Sequence, residues 1–119
     1  MIGTVMDNIA RAGLKIVFSL KDTYFNGSAC WPPSITSSAT EEQFIRSEMR
    51  KFKSKSSLVG WYLNDEMNIE AGWGADLRAH YHWAVDEDPD HIMWVCLGAD
   101  ATFELRRYLE TTDVLATDK

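Results

Sequence analysis

At 119 residues, with 45% hydrophobic and 25% charged side chains, the sequence reads as one domain's worth of chain over 1–119, or a piece of a larger one, and its composition argues against disorder. A formal net charge of −6 argues against a phosphate-backbone partner, and no apolar run is long enough to cross a bilayer, so neither a nucleic-acid nor a membrane partner is expected. Cys30 and Cys96 lie far apart without a CxxC pairing; a bridge between them is one reading, and free thiols are the more economical one.

In chain order, Ile2 to Ala12 carries Ile2, Val5, Met6 and Ile9 at helical spacing, and Gly13 stands where a helix C-cap belongs. Leu14 to Leu20 follows as a strand. A helix that ends in glycine and feeds straight into a strand is the second half of a βα unit. Lys21 to about Thr40 has no period and contains Asn26-Gly27, Trp31-Pro32-Pro33 and a Ser/Thr cluster, so it is expected to be a long loop. Its aromatics Tyr24, Phe25 and Trp31 read either as faces for a sugar ring or as pins that hold the loop to the sheet. Thr40-Glu41-Glu42-Gln43 has the form of a capping box, with Thr40 as N-cap. Phe44, Ile45, Met49 and Phe52 then mark the apolar face of a helix. The basic cluster from Arg50 to Lys55 sits at the negative end of that helix and is read as structural, not as a polyanion site.

Leu58-Val59-Gly60-Trp61-Tyr62-Leu63-Asn64-Asp65-Glu66 is a buried-type strand that ends in an amide and two carboxylates. Simple alternation puts Gly60, Tyr62, Asn64 and Glu66 on one face and Val59, Trp61, Leu63 and Asp65 on the other. Ile69, Trp73, Leu77, Tyr81, Ala84 and Val85 predict a helix that stops near Asp86 to Asp90. His80 and His82, two apart on that helix, point to different sides, so no metal site is expected, and no other cofactor. A strand from His91 to Leu97, a helix carrying Ala101, Leu105, Tyr108 and Leu109, and a strand from Asp113 to Asp118 complete the pattern. Alternation of this kind predicts an α/β fold with a parallel sheet of βα repeats. Asp22, Asn64, Asp65, Glu66, Gly98 and Asp118 would then gather at the carboxyl rim of the strands, where such folds place their chemistry.

Ala12 to Leu20, Val59 to Glu66 and Asp113 to Asp118 together resemble the (β/α)8-barrel glycoside hydrolases of the clan that includes β-galactosidases, β-mannosidases and cellulases. The likeness runs over essentially the whole chain and corresponds to the third through sixth strands of such a barrel. The fold it implies is a partial TIM barrel, because a complete one takes about 250 residues. The function it implies is hydrolysis of O-glycosidic bonds in a carbohydrate. In that clan an Asn directly before a Glu closes the fourth strand and the Glu is the acid/base. By resemblance Glu66 takes that role, with Asp65 as the other candidate because it intervenes between Asn64 and Glu66. Asn64, Asp22, Tyr24, Trp31 and Asp118 would contact the sugar.

The clan's nucleophile lies on the seventh strand, so this chain by itself is expected to be inactive. Its open sheet edges are expected to drive either self-association that closes the sheet or poor solubility. Two readings compete with the enzyme. One is a carbohydrate-binding or degenerate half-barrel that has lost the chemistry. The other is a doubly wound domain with rim carboxylates for Mg²⁺, disfavoured by the lack of a glycine-rich phosphate loop.

Overall fold

The computed structural model describes residues 1–21, 31–67, 69–98 and 105–117. Helix α1 spans Ile2–Arg11. It stops because Gly13 takes φ 73°, which lets Gly13 N–H reach the Ala10 carbonyl and Leu14 N–H reach that of Ile9, each at 3.0 Å. These paired bonds satisfy carbonyls that the helix end leaves open. Strand β1 follows at Ile16–Ser19.

Helix α2, Ser38–Phe52, begins about a turn earlier than the sequence suggests. The capping box is real, but its N-cap is Ser37 and not Thr40. Ser37 is extended, its hydroxyl accepts from Thr40 N–H, and its own N–H donates to Thr40 Oγ1 at 2.9 Å. A threonine can return the second bond as readily as the glutamine expected there, so the box closes on Thr40 and Gln43 falls inside the helix.

Strand β2 is Leu58–Asp65, a kinked π-helical turn occupies Ile69–Trp73, and helix α3 is Gly74–Glu87. The kink falls at Gly72, whose φ of 93° interrupts the single helix that the spacing of Ile69, Trp73 and Leu77 predicts. Strand β3 is Ile92–Leu97, a 3₁₀ turn spans Leu105–Tyr108, and strand β4 is Val114–Thr117. Leu105 and Tyr108 thus sit in a tighter turn than the α-helix expected of them, and Ala101 lies outside the described residues.

The four strands form one parallel sheet in the order β1-β2-β3-β4. The fold is therefore α/β with helices alternating with parallel strands. A doubly wound sheet needs a reversal of strand order at its binding crevice, and this order has none. With right-handed crossovers, a sequential order sends every connection to the same face. Burial agrees with this. Met93, Val95 and Leu97 of β3 are buried with Met6, Ile45, Met49, Phe52 and Leu77 from the helices, whereas Ile92, Trp94 and Cys96 alternate away from that core. Phe18 of β1 stacks on Phe52 of α2 at 5.2 Å and meets Trp61 of β2 edge-on at 5.6 Å. Trp61 donates its indole N–H to buried Asp88 at 2.8 Å. The opposite face, with Val17, Tyr62, Trp94 and Cys96, carries no described helix.

The basic cluster does what its place at a helix end suggests. Arg50 and Lys53 converge on the buried carboxylate of Glu87 at the end of α3, and Lys53 also bonds the Glu87 carbonyl at 2.7 Å. Burial opposes the charge on Glu87, but the two cations outweigh it and hold the carboxyl below its usual range. Lys55 pairs with Asp7 and ties α1 to the end of α2.

Candidate active site

The carboxyl end of β2 is where the expected site residues separate. Tyr62 pairs with Trp94, but Asn64, not Leu63, pairs with Val95, so β2 carries one extra residue at this point. A bulge of this kind puts two consecutive side chains on the same face and reverses the alternation beyond it. Leu63 and Asn64 are both fully buried on the helix side. Asp65 consequently joins Tyr62 on the bare face, the arrangement that simple alternation assigned to Asn64. The bulge decides which of the strand-end groups meet.

On the bare face the Tyr62 hydroxyl donates to Asp65 Oδ1 at 2.6 Å, and the Lys21 ammonium donates to Asp65 Oδ2 at 2.7 Å. Lys21 arrives from just past the end of β1, a strand that pairs in parallel with β2. Burial would favour the neutral form of Asp65, but Lys21 and Tyr62 outweigh it and hold the carboxyl below the ordinary range. Burial, with the Asp65 anion beside it, pushes the Tyr62 hydroxyl well up, so it remains a donor. Asp65 is thus a fixed anion with a donor on each oxygen.

Glu66 follows the strand at φ 55°, the left-handed region, with its N–H bonded to the Cys96 carbonyl at 2.9 Å. That bond anchors its backbone to β3 while its side chain is exposed. A Cβ at Gly98 would lie 3.9 Å from the Glu66 stem, so the side chain leans over the end of β3. Beneath Asp65, Val17, Tyr62, Trp94 and Cys96 line a hollow of about 230 Å³. The Trp94 indole N–H is buried without a hydrogen-bond partner among the described residues.

Asn64 belongs to a different set of contacts. Its Oδ1 lies 2.9 Å from His80 Nδ1, and His80 Nε2 lies 3.1 Å from Glu41 Oε1. This relay joins the end of β2, the middle of α3 and the first turns of α2, with His80 only 2% exposed. As oriented, Asn64 Nδ2 has no partner among the described residues. Exchanging the amide N and O would set Nδ2 to donate to Nδ1 while Nε2–H donates to the Glu41 carboxylate. Outward of this relay, Trp31, Ser37, Glu41, Trp73, Asp76 and His80 line a pocket of about 360 Å³ at the amino ends of α2 and α3.

Of the expected site residues, Asp65 and Glu66 lie together at the end of β2, Asn64 faces the helices, and Trp31 lines the outer pocket. Asp22, Tyr24 and Asp118 lie outside the described residues. Sequence reasoning missed Lys21, Tyr62, Glu41 and His80. For His80 a signal existed, since it falls on the same helical stripe as Leu77 and Ala84, where a polar residue needs a buried partner. His82 is exposed on the other side of α3. Comparisons with protein-family models, curated proteins and solved structures give no match to this chain.

Proposed function

We propose that the chain is part of a (β/α)8-barrel glycoside hydrolase that cleaves O-glycosidic bonds, with Glu66 as its general acid/base. The observation that carries this reading is the division of labour at the end of β2. Asp65 is a fixed anion with both oxygens occupied, and Glu66 beside it is an exposed carboxyl with its backbone anchored to β3. The sheet supports the barrel. Four parallel strands in sequential order, with helices on one face and aromatic and small side chains on the other, have the layering of a barrel wall seen from inside.

In the reaction the Glu66 carboxyl transfers its proton to the leaving glycosidic oxygen as the anomeric C–O bond breaks. The resulting carboxylate then takes a proton from the water that adds to the anomeric carbon. Asp65 lends negative charge near the developing oxocarbenium ion. The second reacting carboxyl, which a retaining enzyme places about 5–5.5 Å away, would come from a later strand of the barrel. The substrate is a carbohydrate, and the outer edges of β1 and β4 are the surfaces through which the chain would self-associate.

The test is hydrolysis of aryl glycosides by the protein expressed in its full reading frame, with Glu66→Gln and Asp65→Asn as variants. Loss of at least about 10²-fold in kcat for Glu66→Gln on poor leaving groups, with smaller loss on activated ones, supports the assignment. Wild-type rates in Glu66→Gln would overturn it. A second reading, a carbohydrate-binding half-barrel without chemistry, draws on the occupied state of Asp65. It predicts sugar binding without turnover.

A further inference from the structure

The pocket at the amino ends of α2 and α3 takes no part in the acid/base chemistry above. Its described lining has a consistent character, with the indoles of Trp31 and Trp73, the carboxylates of Glu41 and Asp76, the buried His80 ring, and no Lys or Arg. Helix amino ends by themselves favour an anion, but an anion entering here would meet two carboxylates. Glu41 is largely buried, with its side chain 14% exposed, and gives Oε1 to His80. Its Oε2, and both oxygens of Asp76, make no hydrogen bond or ion pair among the described residues. Carboxylate acceptors with no Lys or Arg against them among the described residues, beside tryptophans and around a space of about 360 Å³, suit a compact positive charge with an apolar skin.

We propose that this pocket binds an organic ammonium group, an alkylated ammonium the size of choline being the best match. The cation would lie against the Trp31 and Trp73 indoles and be neutralised by Glu41 and Asp76. Its hydrophobic skin would displace water from Ile35, a buried residue of the pocket lining. The site does not depend on the glycosidase reading, since neither Glu66 nor Asp65 lines it.

The experiment is a titration with choline followed by calorimetry and tryptophan emission, alongside 3,3-dimethyl-1-butanol, its uncharged isostere. Choline is expected to saturate one site, with the isostere about tenfold weaker or worse. Trp31→Ala should weaken choline by roughly fivefold or more. Asp76→Asn, at an exposed position in the first turn of α3, should weaken it by about threefold and leave the far-ultraviolet spectrum unchanged. Glu66→Gln should leave choline binding unaltered. The proposal is overturned by equal binding of the isostere, by wild-type affinity in both Trp31→Ala and Asp76→Asn, by a neutral monosaccharide that outcompetes choline, or by no saturable response to choline.

Discussion

Gly60 sits in the middle of β2, on the face that forms the hollow beneath Asp65, and the structure fixes what an added methyl group would meet. A Cβ at Gly60 would lie 2.5 Å from Ile92 Cγ1 and 2.7 Å from the Ile92 carbonyl oxygen. The two contacts differ in how they can be relieved. The Ile92 side chain is 43% exposed and can rotate away, but the carbonyl belongs to the β2–β3 ladder, where Gly60 pairs with Ile92. Restoring an ordinary contact would require the strands to part by roughly 0.7 Å, against close-packed neighbours on the helix side. Gly60→Ala is therefore expected to cost about 1–3 kcal/mol, the usual range for overpacking. Urea denaturation followed by tryptophan emission reads this as a lower midpoint with an unchanged slope. The double variant Gly60→Ala/Ile92→Ala separates the causes, since it removes the side-chain clash and keeps the backbone one. It should remain less stable than Ile92→Ala alone. If Gly60→Ala unfolds at the wild-type midpoint, the close approach of β2 and β3 is not as described and the hollow beneath Asp65 has a different shape.

Three further outcomes follow from the contacts. Lys21→Met removes the cation that holds Asp65 ionised, so carboxyl NMR should show the Asp65 pKa move upward; Tyr62→Phe should move it the same way by removing the second donor. Glu87 has a folded pKa below its unfolded value, so its contribution to stability is complete above the unfolded carboxyl range of about 4.3 and is lost as pH falls through the folded value. Glu87→Gln should cost about 1–2 kcal/mol at neutral pH, because Arg50 and Lys53 are exposed enough to return to water, and the loss should shrink in acid. Ser37→Ala should cost about 1 kcal/mol through loss of the cap on α2, whereas Gln43→Ala should change thermal stability little, reversing the order expected if Thr40 were the N-cap.

The alternation of helix and strand was legible along the chain because it depends on local periodicity. Apolar residues at helical spacing, Gly13 after α1, and runs such as Ile92–Leu97 specify elements through short-range sterics and burial, and they imply a parallel sheet. The position of the carboxylates at the end of β2 was legible for the same reason. Which side chains meet there was not, because side-chain facing follows the pairing register, and a single extra residue between Tyr62 and Asn64 reverses it. That bulge sends Asn64 to His80 and brings Asp65 to Tyr62 and Lys21, partners 16, 3 and 44 residues away in the chain. Sequence determined that this strand would end in ionisable groups. Tertiary structure decided that one of them is locked as an anion and the other left exposed, because charge partners are chosen by distance in space, which no local pattern encodes.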